Sequence, residues 1–325
     1  MRIVTAVYDS PVWSLPEGCV RRIAEALPTD EVVDARTAED RLRAFADADV
    51  LLTSRISSAE FAVARRVRWI QSTAVGVAEL MAPEVVTSDV LVTNVRGVHR
   101  DQIAEHAIAL MLALRRQLHV AMVRQASRTW AQLEIQEHRT RPLRDSQMLV
   151  VGLGAIGARV AELAAGLGMR VRAVRRHPAA PAPACVTAVA GPDALRTELV
   201  QADVVILAAP KTAETRVMIG AEELAAMKPG ALLINVARGR LVDDEALVAA
   251  LERGHLGGAG LDTFVREPLA PDHPFWRLPN VIVTPHVAPF GGDYWQAAID
   301  LFLENVARFR RGEALVNVVD KTRGY

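Results

Sequence analysis

The segment Gly152-Leu153-Gly154-Ala155-Ile156-Gly157 has the spacing G-x-G-x-x-G and directly follows the apolar run Met148–Val151. A strand that ends in such a turn and opens a helix is built to hold the pyrophosphate of a dinucleotide. Gly152 permits the tight turn, Gly154 lets the backbone approach the phosphates, and Gly157 lets helix and strand pack closely. The helix expected over Ala158–Leu167 turns free N–H groups and the positive end of its dipole toward the phosphates. A purely structural glycine turn has the same spelling, and folds that bind S-adenosylmethionine share it.

The end of the next strand bears on which dinucleotide is bound. An acidic residue about 20 positions beyond the first glycine would hold the ribose 2′-hydroxyl of NAD. The strand MRVRAV ends at Val174, and Arg175, Arg176 and His177 follow, with no carboxylate among them. Two guanidiniums suit a 2′-phosphate, because the planar fork binds phosphate through paired hydrogen bonds. NADP(H) is therefore favoured, with NAD(H) left open. The competing reading is two solvated surface arginines.

Three later segments place ionisable residues at strand ends or in the loops beyond, where ligands bind in an open α/β sheet. They are NVARGRLVDDEAL (235–247), GLDTFVREPL (260–269) and VTPHVAP (283–289). Singly they read as a surface arginine, an exposed glutamate before proline and a loop histidine. Asp243 and Asp244 read as a helix cap with Glu245 in the first turn, not as a carboxylate pair. His99, His106 and His119 read as structural, and Trp69 as core.

The elements that must position these residues alternate strand with helix, which argues for parallel sheets. Over residues 1–95 the strand candidates are Arg2–Val7, Val32–Val33, Val50–Thr53, Trp69–Ser72 and Val90–Thr93. Ser57 or Ser58 would cap a helix over Ser58–Arg66. From Asp101 to about Gln132, Ile103, Ala107, Leu110, Met111, Leu114 and Leu118 form one apolar stripe, read as a long helix. A second alternation begins at Gln147, and HPAAPAPAC (177–185) reads as a surface connection. A last helix over Tyr294–Arg311, closed by Gly312, belongs back on the first domain.

At 325 residues, 51% hydrophobic, the chain is long enough for about two domains. Lys plus Arg and Asp plus Glu both number 38, so the footprint of a nucleic-acid binder is missing. Its apolar runs fall far short of a membrane span, and its first residues lack a secretory apolar region. Cys19 and Cys185 can build no disulfide framework, and no cluster has zinc spacing, so no metal is expected. A cytoplasmic protein is expected.

Taken together with GLGAIG, the ARG, REP and TPH segments resemble the D-isomer-specific 2-hydroxyacid dehydrogenases, in particular those of glyoxylate/hydroxypyruvate reductase type. NVRGVHRDQIAEHAIALMLAL (94–114), ADVVILAAPKTAETRVMIG (202–220) and the ending GEALVNVVDKTRGY (312–325) extend the resemblance over nearly the whole chain. It implies two Rossmann-like parallel-sheet domains. A dinucleotide-binding domain (98–287) is inserted into a discontinuous substrate-binding domain (1–97 and 288–325). It implies a 2-keto acid reductase without metal. Arg238 would clamp the substrate carboxylate and polarise the keto group. His286 would donate the proton, and Glu267 would fix its tautomer and favour its protonated form. Ala155 and Ile156 would face the pyrophosphate, Pro210, Thr215 and Ala237 would line the cofactor, and Asp262 would hold the carboxamide. In QSTAVGVAEL (71–80), the N–H groups of Val75 and Gly76 would bind substrate. A homodimer is implied, with its arm in the Asp101–Gln132 region.

The sequence departs from the family at Ala78, where an acidic residue is frequent, and at Lys211, where an apolar one is usual. Pro289, Phe290, Tyr294 and Trp295 become candidates to shape the substrate pocket. Transcriptional corepressors also resemble this family, so a dinucleotide-sensing protein with little turnover is the alternative.

Overall fold

The computed structural model describes residues 1–10, 13–138, 141–291 and 294–324. The chain divides into two compact units, Met1–His99 with Gly291–Tyr325, and Arg100–Phe290. Both are built on parallel sheets.

The first unit opens with β1 (Arg2–Ala6) and a short antiparallel hairpin, β2 (Tyr8–Ser10) and β3 (Trp13–Ser14). There follow α1 (Glu17–Ala26), β4 (Glu31–Asp34), α2 (Ala38–Phe45), β5 (Val50–Thr53), α3 (Ser58–Val63), β6 (Trp69–Gln71), α4 (Pro83–Thr87) and β7 (Leu91–Thr93). The sheet runs β4-β1-β5-β6-β7. Every residue of β5 and β6 is buried, as in a parallel sheet covered on both faces. Helix starts are written locally: Thr37 with Asp40 and Ser57 with Glu60 form capping boxes, so Ser57 is the cap of α3.

The second unit begins with α5 (Arg100–Arg115), α6 (Leu118–Ala126) and α7 (Gln132–Glu137). It continues through β8 (Gln147–Val151), α8 (Ala155–Gly166), β9 (Arg170–Val174), β10 (Val186–Ala190), α9 (Leu195–Leu199), β11 (Val204–Leu207) and α10 (Ala221–Ala226). It closes with β12 (Leu232–Asn235), α11 (Asp244–Glu252), β13 (Gly258–Leu261) and β14 (Val281–Val283). The sheet order is β10-β9-β8-β11-β12-β13-β14, all parallel. The order reverses between β8 and β11, the switch point where such sheets bind ligands. Strand β10, unread in the sequence, extends the edge beyond the exposed proline-rich connection.

The long helix expected from Asp101 to Gln132 does not form as one piece. Helix α5 buries Ile103, Ala107, Leu110, Met111 and Leu114 in the unit's core, and the chain then breaks at Gln117. Gln117 adopts the left-handed φ of 56°, and both its N–H and its side-chain amide donate to the Leu114 carbonyl. Those bonds satisfy the end of α5, and the stripe stops there: Leu118 is half exposed, and α6 and α7 bury no residue.

The chain returns to the first unit with α12 (Tyr294–Arg311), which Gly312 closes at φ 67°. Ile299, Phe302 and Val306 of α12 are fully buried with Ile3, Ile23 and Trp69, and Trp69 is core as expected.

Candidate active site

The residues of interest in the second unit all follow the carboxyl ends of its strands. After β8, Gly152 turns at φ 100° and its N–H donates to the Val174 carbonyl at 2.8 Å. A Cβ at Gly152 would stand 2.4 Å from the Ala209 nitrogen, and one at Gly157 would stand 2.0 Å from the Gly152 oxygen. These two glycines are therefore demanded by packing. Gly154 meets nothing within 4 Å and caps α8 without a side-chain acceptor, so the helix N–H groups open onto free space. A cradle of bare backbone at a helix start fits a pyrophosphate.

After β9 the two arginines differ. The Arg175 guanidinium donates to the carbonyls of Pro181 at 3.1 Å and Ala180, stapling the proline-rich connection. Arg176 pairs with Glu214, which lies in the loop after β11. That loop is a small closed turn, in which the Thr215 hydroxyl donates to the Pro210 carbonyl at 2.7 Å and Thr212 N–H donates to the Thr215 oxygen at 2.8 Å. Pro210 and Lys211 are exposed, Thr215 half-buried and Ala237 buried. Glu214 had no signal of its own in the sequence.

After β12, the Asn235 side chain holds the next turn at both ends. It accepts the Ala237 N–H at 3.0 Å and donates to the Arg238 carbonyl at 3.0 Å. The turn approaches its neighbour so closely that a Cβ at Gly239 would lie 1.9 Å from the Phe264 carbonyl carbon. The Arg238 guanidinium donates to the Ala237 carbonyl at 2.6 Å, and burial pushes its pKa down against the opposing charge of Glu267.

Glu267 spans the remaining segments. One oxygen accepts the Phe264 N–H at 2.9 Å, and the other lies 2.8 Å from His286 Nδ1. Burial alone would raise its pKa. The His286 hydrogen bond, the Phe264 N–H and the charges of His286 and Arg238 outweigh burial and hold the carboxyl below the usual glutamate range. An ionised carboxylate only accepts, so the shared proton sits on Nδ1 and Nε2 is the nitrogen left for exchange.

Asp262, at the end of β13, is fully enclosed. Its Oδ1 accepts the Thr284 hydroxyl and the Val287 N–H, and its Oδ2 accepts the Ala288 N–H. Three protein donors thus satisfy the enclosed carboxylate. His106 reaches this cluster, with Nε2 2.9 Å from the Thr284 hydroxyl, and is a satisfied, half-buried histidine as expected. Asp243 caps α11 by accepting the Ala246 N–H at 3.0 Å, as expected.

In the first unit, the loop after β6 is held by Asn94, which donates to the Val75 carbonyl at 2.9 Å. Val75 is half-buried and Gly76 exposed. Tyr294 is buried, its hydroxyl donates to the Thr73 carbonyl, and its ring packs with those of Trp13, His99 and Trp295, so it belongs to that unit's core.

A profile of the D-isomer specific 2-hydroxyacid dehydrogenase NAD binding domain matches residues 108–288. The chain is 33% identical over 317 residues to a glyoxylate reductase of Pyrococcus furiosus, covering 95% of this chain and 94% of the relative. The chain belongs to the D-isomer-specific 2-hydroxyacid dehydrogenases. A dehydrogenase of that name from Xanthobacter autotrophicus, solved with NADPH and MES, is 30% identical with a TM-score of 0.85, covering 100% of this chain and 99% of that one. An NADPH-dependent glyoxylate/hydroxypyruvate reductase of Sinorhizobium meliloti, solved with NADP and sulfate, is 25% identical with a TM-score of 0.85 over the full length of both chains.

This dehydrogenase is therefore an oxidoreductase that uses a nicotinamide dinucleotide and acts on a 2-keto acid/D-2-hydroxy acid pair. Among the described residues, no cluster could hold a metal ion, and no helix is long and apolar enough to cross a membrane.

Proposed function

We propose that the chain reduces glyoxylate or hydroxypyruvate with NADPH in preference to NADH, through Arg238, Glu267 and His286. The observation that carries this reading is the Glu267–His286 pair at 2.8 Å, with the Arg238 charge acting on the same carboxylate. When bound, the reduced dinucleotide supplies a hydride from its ring C4 to the 2-carbon of the acid. Gly154, Ala155 and Ile156 would hold its pyrophosphate, Arg175 and Arg176 its 2′-phosphate, Pro210, Thr215 and Ala237 its flanks, and Asp262 its carboxamide. Arg238 holds the substrate carboxylate and draws electron density onto the keto oxygen. His286 Nε2 gives that oxygen its proton, and Glu267 keeps the ring aimed. Val75 and Gly76 would bind substrate through their N–H groups, which would make the first unit the substrate-binding domain.

Residence in the cytoplasm is part of the proposal, and the two unpaired cysteines support it. So is a homodimer with its arm in the Asp101–Gln132 region, where Met122, Val123 and Trp130 are exposed.

The test is initial-rate oxidation of NADPH and, separately, NADH with glyoxylate, hydroxypyruvate, pyruvate and branched or aromatic 2-keto acids. His286→Ala should lower kcat about 10²- to 10⁴-fold and leave dinucleotide binding intact. Normal turnover in that variant removes His286 as the proton donor. Tight dinucleotide binding without turnover of any acid moves the reading to a dinucleotide sensor.

A further inference from the structure

The imidazole proposed to move the proton sits on a residue whose own backbone is strained. His286 has φ 53°, in the left-handed region that a residue with a Cβ seldom adopts. Such a conformation persists only where the surroundings hold it. Within the turn, the His286 N–H donates to the Thr284 carbonyl at 2.9 Å. From outside it, the next two amides are both held by Asp262: Val287 N–H donates to Oδ1 at 2.9 Å and Ala288 N–H to Oδ2 at 3.0 Å.

A buried carboxylate needs donors on every side, and the third comes from Thr284, whose hydroxyl donates to Oδ1 at 2.7 Å. A hydroxyl has one proton, and Thr284 gives it to Asp262. Its oxygen can then only accept from His106 Nε2, 2.9 Å away. His106 accordingly carries its proton on Nε2, aimed at Thr284 and 3.5 Å from Asp262 Oδ1. It lies on α5, the first helix of the unit, on a face otherwise made of Ile103, Ala107 and Leu110.

We propose that His106, Thr284 and Asp262 form a positioning relay that fixes the backbone of the His286 turn and so aims the proton-bearing imidazole. His106 orients the Thr284 hydroxyl, Thr284 and the two amides orient Asp262, and Asp262 clamps the residues after His286. None of the three touches the reacting atoms through this relay. The inference rests on the acid–base role proposed for His286.

The test compares Thr284→Val with Thr284→Ser, and His106→Leu with His106→Gln, which returns an N–H donor. Val at 284 and Leu at 106 should lower kcat about 10- to 100-fold, since small misplacements at a reacting centre cost that much. KM for the 2-keto acid and Kd for NADPH should stay within about threefold, and Ser and Gln should recover most of the rate. In the Val variant, hydrogen exchange at the Val287 and Ala288 amides should be about tenfold faster, while amides of β8 and β11 exchange as before. Wild-type kcat in Thr284→Val overturns the relay, as does a loss shared equally by Thr284→Ser. So does unchanged exchange at the two amides. If the wild-type protein reduces no 2-keto acid, the acid–base reading falls separately, and the exchange measurement still decides the relay.

Discussion

The two units set the same device side by side, once with a ligand cradle and once without. In each, the first strand (β1 or β8) lies inside the sheet between two parallel partners, β4 and β5 in one unit and β9 and β11 in the other. In each, an aspartate just before the second of these partners clamps the start of the first strand: Asp49 accepts the Arg2 N–H at 2.8 Å, and Asp203 accepts the Gln147 N–H at 2.8 Å. They part at the end of the first strand. After β8 the chain turns at once through Gly152–Gly157 into α8, whereas after β1 it runs into the β2–β3 hairpin before α1. The second strand inverts the charge as well. Strand β4 ends at Asp34, which binds the Thr5 hydroxyl at 2.8 Å and Arg36 at 3.0 Å, whereas β9 is followed by Arg175 and Arg176. The two sheets thus share strand arrangement and differ in the turn after the first strand and in the charge after the second.

The sharpest way to break this comparison is to put the same methyl group into the helix that follows each first strand. Gly157→Ala drives a Cβ to 2.0 Å from the Gly152 oxygen and should cost about 3 kcal/mol, together with dinucleotide binding. Gly18→Ala, in α1, meets nothing within 4 Å and should stabilise by about 0.5–1 kcal/mol through helix propensity. Denaturant unfolding of both variants measures this, and effects of the same sign would mean that the two helices are not set apart by the turn.

A smaller effect is expected at the second strands. Glu214→Gln releases Arg176 from its carboxylate and should raise kcat/KM for NADPH over NADH up to about fivefold, the scale of an exposed ion pair. Arg36→Gln, beside the corresponding acid of the first unit, should leave that ratio alone. An unchanged ratio for Glu214→Gln would detach Arg176 from the 2′-phosphate.

The smallest effect tests the likeness rather than the difference. Burial would raise the pKa of Asp49 and Asp203, but the Arg2 or Gln147 N–H and a neighbouring Arg66 or Lys228 overcome it and hold both carboxyls low. A depressed folded pKa adds stability above the unfolded value of about 3.9 and loses it as pH falls through the folded value. Asn at either position should therefore flatten the acid limb of stability by less than about 1 kcal/mol in urea titrations between about pH 6 and 3. A flattening at one position alone would end the twinning.

Legibility followed the range of the interactions. The GLGAIG turn was readable because two of its glycines answer clashes within a few residues or across one strand. The capping box at Ser57 was local in the same way. Arg238, Glu267 and His286 were readable only as members of a familiar set, since nothing near Glu267 in the chain announces a histidine 19 residues away. Asn235 and Asp262 serve neighbouring turns, Glu214 meets an arginine from another strand end, and His106 reaches across 178 residues to Thr284. The break at Gln117 was hidden because Leu118 continues the apolar spacing while facing outward.

Helix α12 carries a further meaning for how the chain comes into being. Asn305, fully enclosed, donates to Gln71 and to the Val316 carbonyl and accepts the Val316 N–H, while Thr93 pairs with Val318 at the sheet's edge. Trp69 and Ile3 of the opening unit are thus covered by residues translated only after the whole inserted unit. At about 5–20 residues per second, the ribosome holds that half-built core open for roughly ten seconds or longer after β7 emerges. The inserted unit, contiguous from Arg100 to Phe290, reaches completeness first. Any stop before α12 releases a nascent chain whose first sheet lacks the cover of Ile299, Phe302 and Val306 and lies bare to chaperones and proteases.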